Sequence, residues 1–150
     1  MSKIKIFSLG GLNELGKNMY IVEVDKDIYV FDAGLKYAED KMLGVDYIIP
    51  NYDYLKDNYK RIKGVFITHG HDEQMGALTD ILTDLPNLPI YATSFTMKVI
   101  RQELQSENLS TANLHEIKVH KKIKVGNCYI FPINLTHSVP DSVGYVLYTN

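Results

Sequence analysis

The stretch Thr68-His69-Gly70-His71-Asp72-Glu73-Gln74 sets two imidazoles and two carboxylates between an apolar strand-like run and an amphipathic helical one. Two histidines one residue apart in an extended loop can aim both rings at one point, about 2.0–2.1 Å from a zinc-like ion. Gly70 has no side chain to obstruct that convergence and suits the backbone angles of a tight loop. A polar surface loop carrying two histidines is the competing account. A third imidazole, His137, follows the apolar run 129–135 in Thr136-His137-Ser138-Val139-Pro140-Asp141. Taken singly it reads as a loop histidine bonded to backbone. Asp32 closes the run 29–31 ahead of Ala33-Gly34. A carboxylate there could orient a ligating imidazole from behind, or serve as a turn residue.

Apolar periodicity supplies the elements that must hold these groups. Ile4 and Ile6 alternate with lysines in a short strand ending at Gly10-Gly11, and runs 19–24 and 28–31 form a hairpin across Asp25-Lys26-Asp27. Residues 36–50 read as an excursion, and Tyr52, Leu55 and Tyr59 have the spacing of a short helix. The run 65–68 is a strand. Met75, Leu78, Ile81, Leu82 and Leu85 then form one helical stripe closed by Pro86. The run 88–92 is a strand, and Ser94 is placed to cap a helix carrying Met97, Ile100 and Leu104. Strands follow at 117–119, 123–125, 129–135 and 143–148. Strand–helix alternation followed by a run of strands predicts an α/β sandwich with a mixed sheet.

At 150 residues, 45% hydrophobic, 23% charged and with net charge −2, the chain is neither disordered nor low-complexity, and global charge announces no nucleic-acid or membrane partner. No apolar run approaches the ~20 residues of a membrane span, and the opening residues lack a secretory signal. Cys128 is the single cysteine, so no internal disulfide forms and a reducing, cytoplasmic setting is expected. The basic cluster Lys118, His120, Lys121, Lys122 and Lys124 offers RNA contacts at Lys121, Lys122 and Lys124, or an ordinary solvated face. His115 and His120 read as surface residues. Tyr47, Tyr52, Tyr54 and Tyr59 read as packing residues more readily than as base-stacking ones.

The order Asp32-Ala33-Gly34, Thr68-His69-Gly70-His71, Thr136-His137-Ser138 resembles the metallo-β-lactamase superfamily, and within it the ribonuclease J family. The blocks Gly10-Gly11-Leu12-Asn13-Glu14-Leu15-Gly16-Lys17-Asn18-Met19-Tyr20, Asp32-Ala33-Gly34-Leu35, Met42-Leu43-Gly44-Val45-Asp46-Tyr47-Ile48-Ile49-Pro50 and His137-Ser138-Val139-Pro140-Asp141-Ser142 are similar to successive family segments. The resemblance implies the N-terminal half of a metallo-β-lactamase-like αββα sandwich. The rest of that domain, an RNA-clamping domain and a C-terminal domain would lie beyond Asn150. It implies a cytoplasmic, metal-dependent ribonuclease, endonucleolytic and 5′-to-3′ exonucleolytic, in mRNA decay and rRNA maturation. Zinc or manganese would be the divalent metal, and RNA, a ribonuclease J paralogue, a second copy of the chain and other RNA-decay proteins the partners. Another metallo-hydrolase of the superfamily, such as a thioesterase, fits the opening block less well.

Carried over residue by residue, the family's His-x-His-x-Asp-His motif puts its first two histidines on His69 and His71, its Asp on Glu73 and its last His on Gln74. His137 matches the third ligand of the first metal, and Asp32 would orient the histidines. One tight site is therefore expected, and the second loses both usual ligands from this loop. Glu73 is one methylene longer than Asp, moving its carboxylate by about 1.5 Å, and remains a candidate ligand or base. Gln74 offers a neutral amide oxygen. Such degeneracy resembles a second paralogue of the family in Gram-positive bacteria, weakly active and assembled onto a more active sister subunit. A non-catalytic partner subunit is thus the alternative reading.

Overall fold

A computed structural model describes residues 1–149. Three antiparallel strands open the chain: β1 (Ile4–Gly10), β2 (Met19–Val24) and β3 (Asp27–Phe31). The excursion that follows contains a two-residue ladder, β4 (Lys36–Tyr37) with β5 (Tyr47–Ile48), then α1 (Asp53–Asp57) and a 3-10 turn (Tyr59–Arg61). β6 (Ile62–Phe66) returns parallel to β3. α2 (Asp72–Met75) and α3 (Leu78–Asp84) lead to β7 (Ile90–Ala92), and α4 (Ser94–Ser106) leads to β8 (Leu114–Glu116). Both strands extend the sheet in parallel, giving the order β1-β2-β3-β6-β7-β8. A second, antiparallel sheet of three strands is built from β9 (Ile123–Val125), β10 (Cys128–Asn134) and β11 (Val143–Tyr148).

The two-residue side-chain period of the central strands separates two cores. Ile28, Val30, Val65 and Ile67 pack with Leu78, Ile81, Leu82, Met97, Ile100 and Leu104 on the helical side. Tyr29 and Phe66, from the same strands, turn the other way onto Val125, Cys128 and Ile130 of the second sheet. Burial on both faces explains why 28–31 of β3 and the 65–67 stretch at the end of β6 read as continuous apolar runs. The α/β sandwich with a mixed sheet is the observed fold.

Four local expectations differ from what forms. The single helix from Met75 is two helices broken at Gly76-Ala77. The carbonyls of Asp72, Glu73 and Gln74 accept from the amides of Leu35 (2.9 Å), Asn18 (3.1 Å) and Ala33 (2.7 Å), while the Ala77 amide turns to the Ala33 carbonyl at 2.9 Å. At Glu73 and Gln74 those outside partners take over the carbonyls a continuing helix would use, while that of Asp72 also keeps the Gly76 amide at 2.8 Å. The strand expected at 65–68 runs instead from Ile62 to Phe66. The strand expected at 117–119 lies at Leu114–Glu116, because three-residue β7 ends at Ala92, whose carbonyl is used by the Ile117 amide at 2.9 Å. Ser94 is the first helical residue of α4 rather than its cap; the cap position belongs to extended Thr93, which makes no side-chain bond to its own helix. Of the tyrosine group, Tyr52, Tyr54 and Tyr59 pack against the helical-side core.

Candidate metal centre

Parallel pairing of β3 and β6 brings their C-terminal ends to the same edge, and the site grows from that edge. Asp32 leaves β3 with a left-handed backbone, φ +62°, and is 7% exposed. Its Oδ1 accepts the Thr68 amide at 2.8 Å, and the Thr68 hydroxyl lies 3.0 Å from both carboxylate oxygens. The same hydroxyl lies 3.0 Å from His69 Nδ1. A hydroxyl has one proton to give. Donated to ionised Asp32, it leaves Thr68 to accept from a protonated Nδ1, which presents the Nε2 lone pair of His69 on the far side of the ring. Asp32 therefore reaches the imidazole only through Thr68. Burial pushes its carboxyl up to about 7 against the opposing pull of the Thr68 bonds.

His71 sits at the N-terminal cap of α2, and His137 arrives from the β10–β11 loop of the other sheet. The Val143 amide bonds the Thr68 carbonyl at 2.9 Å and stitches the two loops together. The ring centroids are 4.9 Å apart for His69–His71, 4.2 Å for His69–His137 and 5.0 Å for His71–His137. One nitrogen from each ring falls within 4.8 Å of the others, with Ser138 Oγ 3.2 Å from His137 Nδ1 and 3.5 Å from His71 Nε2. Burial, then the neighbouring His137 and His71, hold His69 down to about 4, so at neutral pH it is uncharged and carries a free lone pair. Three converging imidazoles are a donor set that suits a divalent transition ion such as zinc.

Glu73 and Gln74 line the same open depression of about 300 Å³, with Leu15, Gly16 and Asn18. Among the described residues, however, the histidines converge without a carboxylate: neither Glu73 nor Asp72 joins them. The Glu73 carbonyl is held at 3.1 Å by both the amide and the side-chain Nδ2 of Asn18. Asp72 opens α2 and accepts the Tyr37 hydroxyl.

The glycine the site depends on is Gly34. A Cβ there would lie 1.6 Å from the Glu73 carbonyl oxygen, so only glycine lets the 33–35 segment clamp α2. Gly70, by contrast, has no left-handed backbone, and a Cβ on it would meet nothing nearer than 3.7 Å. Gly70 leaves the convergence unobstructed, and an alanine there would also find room. The lysine run is divided. Lys122 Nζ sits 4.6 Å from the Tyr129 ring centre and 4.3 Å from that of Tyr148, and Lys124 stands opposite Tyr129 in β9. Lys118 and Lys121 border a different depression beside Glu116 and Asp141, and none of these lysines lines the histidine depression. His115 stacks on Tyr91 at 4.9 Å and His120 on Phe131 at 6.2 Å, both apart from the cluster. Spacing and residue type alone give Thr68 and Asn18 no site role. A hydroxyl directly before the first histidine is the one local sign of Thr68, and nothing near Asn18 signals its reach to Glu73.

The profile of the beta-lactamase superfamily domain matches residues 29–150. The chain belongs to that superfamily. It is 38% identical over 148 residues to the Ribonuclease J 2 of Staphylococcus epidermidis, an alignment covering 98% of this chain and 26% of the relative. The chain thus spans about a quarter of the length of the curated relatives it matches. Among solved structures, a protein of unknown function from Enterococcus faecalis V583 superposes with TM-score 0.74 at 15% identity, covering 98% of this chain and 41% of that one. A B3 metallo-beta-lactamase with an active-site glutamic acid superposes with TM-score 0.62 at 14% identity, covering 91% and 52%. These two likenesses show the superfamily's fold.

Proposed function

We propose that this chain carries the metal centre of a ribonuclease J-type hydrolase, as the N-terminal part of its lactamase-like domain. The observation that supports this most directly is the convergence of His69, His71 and His137 to within 4.8 Å at the strand ends, in a chain 38% identical to a protein named Ribonuclease J 2. His69, His71 and His137 bind one divalent ion, zinc or manganese. Asp32, through Thr68, keeps the His69 proton on Nδ1. Glu73, on the wall of the depression, is the candidate general base or weak ligand, and Gln74 contributes at most an amide oxygen. When bound, such an ion lowers the pKa of water and neutralises charge at a scissile phosphate. The substrate is RNA, cut endonucleolytically and from the 5′ end, in mRNA decay and rRNA maturation in the cytoplasm. Turnover is weak because only one ion is held. Among the described residues no helix is long and apolar enough to cross a membrane.

A second reading, a partner subunit that stabilises an active ribonuclease J paralogue, is favoured by a histidine triad that no carboxylate joins and by Gln74 in place of an imidazole. Hydrolysis of 5′-monophosphorylated RNA by the full-length protein, alone and mixed with its paralogue, separates the two. The enzyme reading expects metal-dependent cleavage by the protein alone, abolished in His137→Ala. No cleavage alone, but stimulation of the paralogue that survives His137→Ala, supports the partner reading instead.

A further inference from the structure

His137 lies exposed in the middle of a loop, yet its ring must keep its place beside two others. The loop is pinched at its base by the Leu135 amide on the Ser142 carbonyl, 2.9 Å, and inside by the Ser142 hydroxyl on the Val139 carbonyl, 3.0 Å. These bonds shape the loop without saying where its tip goes. Beside the Val143 amide on the Thr68 carbonyl, the loop is tied to the rest of the molecule by Asp141, in the left-handed region at φ +57°. Its carboxylate Oδ2 accepts the Phe95 amide at 3.1 Å, and its carbonyl accepts the buried Thr93 hydroxyl at 2.6 Å. Phe95 is the second residue of α4, so its amide is one of the donors a helix start leaves without an internal partner. Thr93 does not cap its own helix; Asp141 does so from 46 residues away. The other ligand loop faces the same helix end: a Cβ added to Gly70 would lie 3.7 to 3.9 Å from Val99 Cγ2, Phe95 Cε1 and Thr96 Cα.

We infer that Asp141 is a positioning residue which, by capping α4 from outside, holds the His137 loop against the helix end that His69-Gly70-His71 also faces, and so sets the spacing of the three imidazoles. The inference rests on the reading of these histidines as a metal centre. Its physical logic is that the Val143–Thr68 bond joins the two loops at the base of the His137 loop, and a second anchor on a rigid 13-residue helix fixes where the rest of that loop lies. The partners that orient metal ligands typically cost about 10- to 100-fold in affinity when removed.

The test is Co²⁺ titration of the full chain, followed by visible absorption, with a metal-free readout beside it. Asp141→Gly removes the carboxylate while suiting the left-handed backbone, and weakens Co²⁺ binding by about tenfold or more. Asp141→Asn keeps an oxygen for the Phe95 amide and tolerates the same backbone, so it restores binding close to wild type. Thr93→Val cuts the second tie without touching the loop and weakens binding in the same direction. Without metal, the His69 and His71 ring-proton resonances shift in Asp141→Gly, because the ring of His137, at 4.2 and 5.0 Å, moves. Wild-type affinity and unmoved resonances in both Asp141→Gly and Thr93→Val overturn the inference. A wild-type chain that takes up no Co²⁺ overturns the metal reading, and the resonances then decide whether Asp141 places His137.

Discussion

Alanine at position 34 puts a methyl group where α2 already is. The added carbon would lie 1.6 Å from the Glu73 carbonyl oxygen, 2.2 Å from its carbon and 2.9 Å from the Gln74 nitrogen. A carbon–oxygen contact needs about 3.3 Å, so the two backbones must part by roughly 1.7 Å. Three hydrogen bonds join them directly: Ala33 to Gln74 at 2.7 Å, Leu35 to Asp72 at 2.9 Å and Ala77 to Ala33 at 2.9 Å. Such a parting carries all three out of bonding range, at about 0.5–1.5 kcal/mol each, with more for any group left buried and unpaired. Gly34→Ala is therefore expected to cost about 3–5 kcal/mol, in the range reserved for named structural faults. It also shifts His71 at the cap of α2, so metal affinity falls with stability. Gly70→Ala is the control, with its nearest contact at 3.7 Å, and is expected to cost less than about 1 kcal/mol. Urea unfolding followed by far-UV circular dichroism reads both. Gly34→Ala within about 1 kcal/mol of wild type, or costing less than Gly70→Ala, refutes the reasoning.

The full-length protein should retain one divalent ion per chain through dialysis against a weak chelator, by elemental analysis; two retained ions would mean that Glu73 and Gln74 ligate after all. Glu73→Asp with Gln74→His should add a second ion and raise turnover on RNA. Loss of one electrostatic element typically costs about 10²–10³ in rate, so two bound ions with unchanged turnover would favour the partner-subunit reading. The Asp32 carboxyl, raised from 3.8 to about 7 by burial, contributes stability that is complete below its unfolded value and lost as pH rises through about 7. The stability difference between wild type and Asp32→Asn should therefore shrink or reverse against the wild type over that window, and a pH-independent difference would show that the carboxyl is not shifted. Ile4 and Ile6 stand opposite Val24 and Val22 on the face turned to the second sheet, yet are 49% and 73% exposed, and both β1 and β11 are sheet edges. The isolated 150-residue chain should self-associate in sedimentation, less so in Ile6→Lys; a monomer at high concentration would count against an exposed sticky face.

Local spacing made a good part of this protein legible. The central strands, the stripe of Met97, Ile100 and Leu104, and the His69-Gly70-His71 pair follow from side-chain period and short range, which any chain displays on its face. The superfamily blocks added His137 to that pair, although nothing in its own surroundings marks it. Tertiary structure decided the rest, because the deciding contacts join residues far apart in the chain. Parallel pairing of β3 with β6 brings Asp32 to Thr68, 36 residues on, and thereby turns His69. The apolar stripe from Met75 is continuous in sequence but broken in space, since amides at 18, 33 and 35 take the carbonyls of α2. The same clamp makes Gly34 rather than Gly70 the indispensable glycine. A glycine's own neighbours do not reveal which backbone will press against it. His137 keeps its place for the same kind of reason, through Asp141 on a helix that begins 43 residues before the histidine itself. Hydrogen bonds of that span leave no periodic trace, so residue types announced the chemistry and the folded backbone chose the geometry.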